Sequence, residues 1–146
     1  METVGRLGAI LVKAHHDFDQ KRFLPPTEGT PEGYSSFLRR QLSNEKVIIL
    51  VAEIDGVVAG YSYAGLEGTD WMSLRGPAGV IYDILVDSNF RRQGVGMQLL
   101  QAMLEVLSSR GTEQVVLSTA DRNEEAQRLF ERAGFRRTMI EMTKEL

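Results

Sequence analysis

Apolar residues recur along this chain at two different periods, and the switches between them lay out its elements. Val4, Leu7, Ile10, Leu11, Ala14 and Phe18 fall three or four apart, the stripe of an amphipathic helix. Leu24 to Gly33 is rich in proline and glycine and reads as a loop. Tyr34, Phe37, Leu38 and Leu42 then mark a second helix. At Val47 the period changes. Val47 to Ile54 and Val57 to Tyr63 are strand-like runs on either side of Asp55-Gly56, a two-residue hairpin signal. Glu67 to Gly79 reads as a loop, and Ile81 to Val86 as a near-continuous apolar strand. Leu99, Leu100, Met103, Leu104 and Leu107 line a third helix closed by Arg110-Gly111. A short strand follows at Val115 to Leu117. Asn123 is a natural N-cap for a fourth helix whose buried stripe is Ala126, Leu129, Phe130 and Ala133, with Gly134 ending it. Met139 to Leu146 reads as a final strand. The order predicts a single mixed α/β domain over residues 1–146, with helices on both faces of the sheet.

Chemistry concentrates between the strand at Ile81–Val86 and the third helix. The chain there reads Arg91-Arg92-Gln93-Gly94-Val95-Gly96-Met97, so a strand runs into a glycine loop and the loop into a helix start. A helix N-terminus leaves backbone N–H groups unpaired and carries a partial positive charge. Gly94 and Gly96 lack Cβ atoms, which lets the backbone approach a ligand and take positive φ. Arg91 and Arg92 add cationic donors suited to phosphate. A phosphate or pyrophosphate is expected here. The Walker A pattern does not match, because Gly96 is followed by Met97-Gln98. The dinucleotide fingerprint fails at Leu99, where it requires glycine or alanine.

The segment resembles instead the Gln/Arg-x-x-Gly-x-Gly/Ala loop of the GNAT superfamily, the acetyl-CoA-dependent N-acetyltransferases. Asn123 to Phe135 resembles that family's other signature, N-x-x-A-x-x-L-Y/F-x-x-x-G-F, in the right order and with a strand between. The resemblance covers about Val47 to Phe135. It implies a mostly antiparallel central sheet with helices on both faces and acetyl-CoA as cosubstrate. It also implies that the strand ending at Leu85-Val86 splays from the one holding Val116-Leu117. Ile84, Leu85 and Val86 would hold the pantetheine arm, with one backbone N–H polarising the thioester carbonyl. Arg91, Arg92, Gln93, Gly94, Val95, Gly96 and Met97 would take the pyrophosphate. Asn123 is carried over as a cofactor contact, with a plain helix cap as its other role. Phe130 stands at the cofactor-side position where a tyrosine is often credited with protonating the departing thiolate, which leaves water, Tyr82 or Tyr61 for that task. In the family the connection between the first two helices helps form the acceptor pocket, which singles out Phe23, Leu24, Glu28 and Glu32.

The acceptor amine must lose a proton, since an alkylammonium has a pKa of about 10.4. A carboxylate can take it. Asp83 lies on the central strand among apolar neighbours, where desolvation raises a carboxyl pKa. Glu53 on the hairpin is the alternative, and Val80 stands where some family members carry a glutamate base. The implied activity is acetyl transfer to a primary amine of a small molecule or peptide. A catalytically weak acyl-CoA-binding sensor is the other reading, supported by Phe130 and Val80.

Composition narrows this picture. The net charge of −3 argues against general nucleic-acid binding. Residues 1 to 88 carry 8 Lys/Arg and 12 Asp/Glu, a net of −4, and residues 89 to 146 carry 9 and 8, a net of +1. The first half thus suits a cationic acceptor and the second a polyanionic cofactor. Cysteine is absent, which excludes disulfides and thiolate chemistry. No apolar run is long enough to span a membrane, and a soluble, cytoplasmic protein is expected. His15-His16 point in different directions on a helix, so they read as a solvated pair and no metal is expected. The ends depart from the family, which usually opens with a strand and closes with two. An unpaired sheet edge is a liability, so a homodimer whose partner covers that end is expected.

Overall fold

Asp55 and Gly56 both take positive φ, 51° and 78°, as a type I′ turn requires. They join β1 (Val47–Ile54) to β2 (Val57–Glu67) in an antiparallel hairpin. β2 pairs antiparallel with β3 (Ala78–Val86), and β4 (Val115–Leu117) adds parallel to β3. The sheet order is β1-β2-β3-β4. The computed structural model describes all 146 residues.

Two helices precede the sheet, α1 (Glu2–Phe18) and α2 (Thr30–Gln41). They cover one face, where Val4, Leu7 and Leu38 pack with Tyr61, Tyr63 and Leu85. α3 (Val95–Ser109) and α4 (Glu124–Arg132) cover the other, where Leu100, Met103, Leu107 and Phe130 pack with Ile48, Ala64 and Ile81. Burying one such side chain is worth about 1.5–3 kcal/mol, so each face contributes through its whole cluster. The first two helices meet closely at Gly8. A Cβ there would lie 2.1 Å from Cδ1 of Tyr34, so only glycine lets that ring come so close to α1.

The structure departs from the sequence reading at three places. α2 begins at Thr30 and not at Tyr34, with Pro31 in its first turn, where a missing N–H costs nothing. β2 continues to Glu67, past the predicted end at Tyr63. The predicted last strand is absent: residues 136–146 join no ladder, and Met139, Ile140 and Met142 are exposed. The tail is held instead by polar contacts. Arg22 donates to Glu141 through Nε at 2.6 Å and Nη2 at 2.8 Å, and Arg137 pairs with Glu131 at 3.0 Å.

Candidate active site

β3 and β4 stay together for three residues only. Gly79 pairs with Val115, Val80 with Val116 and Ile81 with Leu117, after which β3 continues to Val86 with β2 alone. From Tyr82 onward the backbone groups on β3's outer side have no strand partner. A cavity of about 410 Å³ opens at this parting. It passes through the sheet, since Ile84, Ala126 and Phe130 line it from the α3/α4 side and Leu11, Val12 and Tyr34 from the α1/α2 side. Ser118, Thr119 and Asn123 line it along the diverging chain after β4.

A β-bulge aims the acidic residue of this cavity. Asp83 lies opposite Tyr63 and Ile81 opposite Ala64, which leaves Tyr82 as an extra residue. Strict alternation would place Ile81 and Asp83 on one face. With the bulge, Ile81 packs toward α3, while the Tyr82 ring lies tilted against Tyr63, centroids 4.9 Å apart, and Asp83 reaches Tyr61 on the α1/α2 side. The Tyr61 hydroxyl lies 3.3 Å from Asp83 Oδ2, to which it can donate, and 3.2 Å from the Tyr34 hydroxyl. Burial pushes the Asp83 carboxyl from its ordinary 3.8 up to about 7. Burial likewise raises the Tyr61 phenol, so it holds its proton.

The other two candidates for proton transfer sit differently. Glu53 is exposed on β1 and does not line the cavity. Tyr82 does line it, but its hydroxyl donates to Glu67, which also accepts from Arg75 Nη2 at 2.8 Å. Burial, and then the Glu67 carboxylate, raise the Tyr82 phenol.

The glycine loop follows β3 directly. Asp87 accepts from the Asn89 N–H at 3.0 Å and caps a 3-10 turn at Ser88–Phe90, which leads to Arg91, Arg92 and Gln93, all exposed. Gly94, at φ 77°, is the N-cap residue of α3, and no side chain caps that end. The N–H groups at the start of α3 are therefore available to an anion. Arg92 also takes positive φ, 64°. Gly96 corrects the sequence reading, because it is helical and its backbone is not in the left-handed region. A methyl group on it would meet Leu129 at 3.4 Å and Val86 at 3.7 Å, ordinary contacts. Val95 is buried against Ala59 and Leu99 and Met97 is half-buried, so from these two an anion would meet backbone only. None of these loop residues lines the cavity. Of the predicted pantetheine segment, Ile84 does so; Leu85 is buried against α1/α2 and Val86 is half-buried.

Asn123 Oδ1 accepts from the Ala126 N–H at 3.2 Å, so it caps α4 while also facing the cavity. At the other end of α4, Gly134 N–H bonds Glu131 O and Phe135 N–H bonds Phe130 O, both at 3.0 Å. This is a Schellman closure, completed by the Phe130 and Phe135 rings at 6.0 Å. Phe130 is thus fixed by the helix stop and turned into the cavity.

Sequence reasoning missed His15 and Arg22 as cavity residues. His15 is half-buried, with its ring edge-on to Phe18 and Phe23 at 6.0 and 5.1 Å. Its Nδ1 lies 2.9 Å from Leu11 O. A carbonyl only accepts, so Nδ1 carries a proton in this contact. His16 Nδ1 lies 3.0 Å from Phe23 O. The histidines are therefore not a solvated pair. The available signal was His15's place one turn after Leu11 on the apolar stripe. Of the residues singled out on the inter-helix connection, Phe23 and Leu24 line the cavity, whereas Glu28 and Glu32 do not. No group of three or more His, Cys, Asp or Glu is placed to hold a metal ion. No helix is long and apolar enough to cross a membrane.

A parted parallel strand pair beside a glycine-led helix start defines a class, the GNAT acetyltransferases. Residues 13–135 match the model of the Acetyltransferase (GNAT) family, and the chain belongs to it. It is 36% identical over 96 residues to a mycothiol acetyltransferase of Thermobispora bispora, a match covering 63% of this chain and 31% of that protein. The chain thus spans under a third of that relative's length. A point mutant of the BH1408 protein from Bacillus halodurans has the same fold, with a TM-score of 0.81 at 23% identity, covering 98% of this chain and 91% of that one. AAC(6')-Iy, solved in complex with the bisubstrate analog CoA-S-monomethyl-acetylneamine, also shares it. Its TM-score is 0.69 at 21% identity, with 79% of each chain covered.

Proposed function

We propose that this acetyltransferase moves an acetyl group from acetyl-CoA to a primary amine of a small molecule or peptide, by direct attack on the thioester. The observation that carries the reading is the parting of β3 from β4 after Ile81, with Asp83 lining the cavity there and the uncapped start of α3 following β3. The CoA conjugate bound by AAC(6')-Iy supports a CoA substrate for the shared fold.

The residues present fit that cosubstrate. The free N–H groups of α3 together with Arg91, Arg92, Gln93 and Gly94 bind its diphosphate. The unpaired edge of β3 at Ile84–Val86 pairs with its amide arm, and Asn123 and Phe130 border the arm from across the gap. Acetyl-CoA supplies the activated acyl carbon. A C–N bond forms and the C–S bond breaks. Asp83 takes the first proton that the ammonium must lose; the second leaves nitrogen as the amide forms and passes through water to the departing thiolate, a tolerable leaving group whose thiol has a pKa of about 8.5. An N–H on the β3 edge donates to the carbonyl oxygen as charge builds there.

The test follows free thiol while acetyl-CoA is mixed with the protein and a panel of amines, including peptides. Turnover above blank supports the proposal. Saturable CoA binding without thiol release favours the sensor reading, for which the hydroxyl-free ring of Phe130 is the supporting observation. The assembly we propose is a homodimer that covers the outer edge of β4, beside which the tail adds no strand. A monomeric mass by light scattering at micromolar concentration contradicts it.

A further inference from the structure

We infer that the acceptor is an apolar monoamine, a primary amine on an aromatic or branched alkyl stem with no second charge. The inference rests on the acetyltransferase reading above and identifies its substrate class.

The acceptor half of the cavity is walled by Leu11, Val12, Phe23, Leu24 and Tyr34, with His15 among them. Its acid inventory is short: Asp83 is the only carboxylate that lines the cavity. The other acidic residues of the first 88 positions, eleven of the twelve, lie elsewhere, so the negative charge of that half belongs to other surfaces. One ammonium has a partner here and a second has none. Leaving it unpaired against apolar walls is unfavourable.

The cation at the cavity argues the same way. Arg22 lines it, stacks over Phe23 at 4.8 Å and is held by both carboxylate oxygens of Glu141. Its charge is satisfied, so it neither calls for a carboxylate on the acceptor nor leaves Glu141 free for a second ammonium. His15 turns its Nδ1 to Leu11 O and sets its ring edge-on to Phe18 and Phe23, so the wall it forms is an aromatic one. Apart from the Tyr34 hydroxyl and the His15 ring nitrogens, the surface offered to the acceptor's body is aromatic and aliphatic, which rewards a stem that can be desolvated.

The experiment measures kcat/KM by thiol release with acetyl-CoA and four amines: phenethylamine, isoamylamine, spermidine and an aminoglycoside. The two apolar amines are expected to lead by about tenfold or more, as a site that leaves polar groups unpaired discriminates. Spermidine or the aminoglycoside matching them overturns the inference and leaves the acetyltransferase reading standing. Absence of thiol release above blank with every amine tried, peptides included, overturns that reading, and this inference with it. Leu24→Glu gives a second measure, since Leu24 is 82% exposed and its replacement spares the core. Adding a carboxylate at the cavity should lower KM for spermidine and raise it for phenethylamine; an unchanged ratio contradicts the assignment.

Discussion

The Tyr61 hydroxyl donates to Asp83 from the neighbouring strand, 3.3 Å away, and lies 3.2 Å from the Tyr34 hydroxyl. Its single proton serves one acceptor at a time. When Asp83 is ionised, the charge-assisted bond to the carboxylate is the stronger of the two. Asp83 is thus a buried carboxyl that titrates at about 7 with a donor ready for its anion.

The rate should follow that titration. With a saturating apolar amine, kcat is expected to rise with pH through about 7 and then level off, because the base must be unprotonated to accept. Asp83→Asn should remove that limb and lower kcat by about 10²–10⁴-fold. A wild-type profile flat between pH 5 and 8 contradicts the role.

Stability should move the other way. The folded-state pKa of Asp83 lies above its unfolded value, so between about 4 and about 7 the folded chain binds more protons than the unfolded one. Its contribution to stability therefore falls as pH rises across that window, and the deficit is complete above it. Asp83→Asn is expected to match wild type near pH 4 and to be more stable at pH 8 by roughly 2 kcal/mol, allowing for the residue's partial exposure. Urea melts at both pH values read the difference, and a variant less stable at pH 8 refutes it.

Gly8→Ala tests how the helices set the site. Alanine normally favours a helix interior by about 1 kcal/mol. Here its methyl would lie 2.1 Å from the Tyr34 ring. Overpacking should win, with a net loss of about 1–3 kcal/mol and a displaced Tyr34. Denaturant melts measure the first, and a weakened pH dependence of kcat reports the second.

Phe130→Tyr places a hydroxyl in the cavity without changing the ring that closes α4 on Phe135. We expect kcat to rise with the melting temperature nearly unchanged. An unaltered kcat means that protonation of the thiolate does not limit turnover.

Much of this architecture can be read from residue periods alone. The hairpin, the three cap signals at Asn123, Gly111 and Gly134, and the desolvated setting of Asp83 depend on neighbours within a few residues. The bulge at Tyr82 does not. It is set by the register of β3 on β2, and it decides which face Asp83 occupies. Arg22 and Glu141, 119 residues apart, meet through the tail's path, which no local pattern encodes. The tail's alternating apolar residues predict a strand, yet a strand needs a ladder, and none runs beside them. At Thr30–Gly33 proline and glycine signal a loop, but Pro31 starts a helix as readily as it ends one.

The central claim is that the backbone between β3 and α3 grips coenzyme A, and calorimetric titration of the protein with CoA tests it most directly. The account predicts one saturable site, weakened several-fold by Arg92→Gly even though that change relieves a positive φ of 64° and should leave the fold no less stable. No saturable heat in the wild-type titration would contradict it.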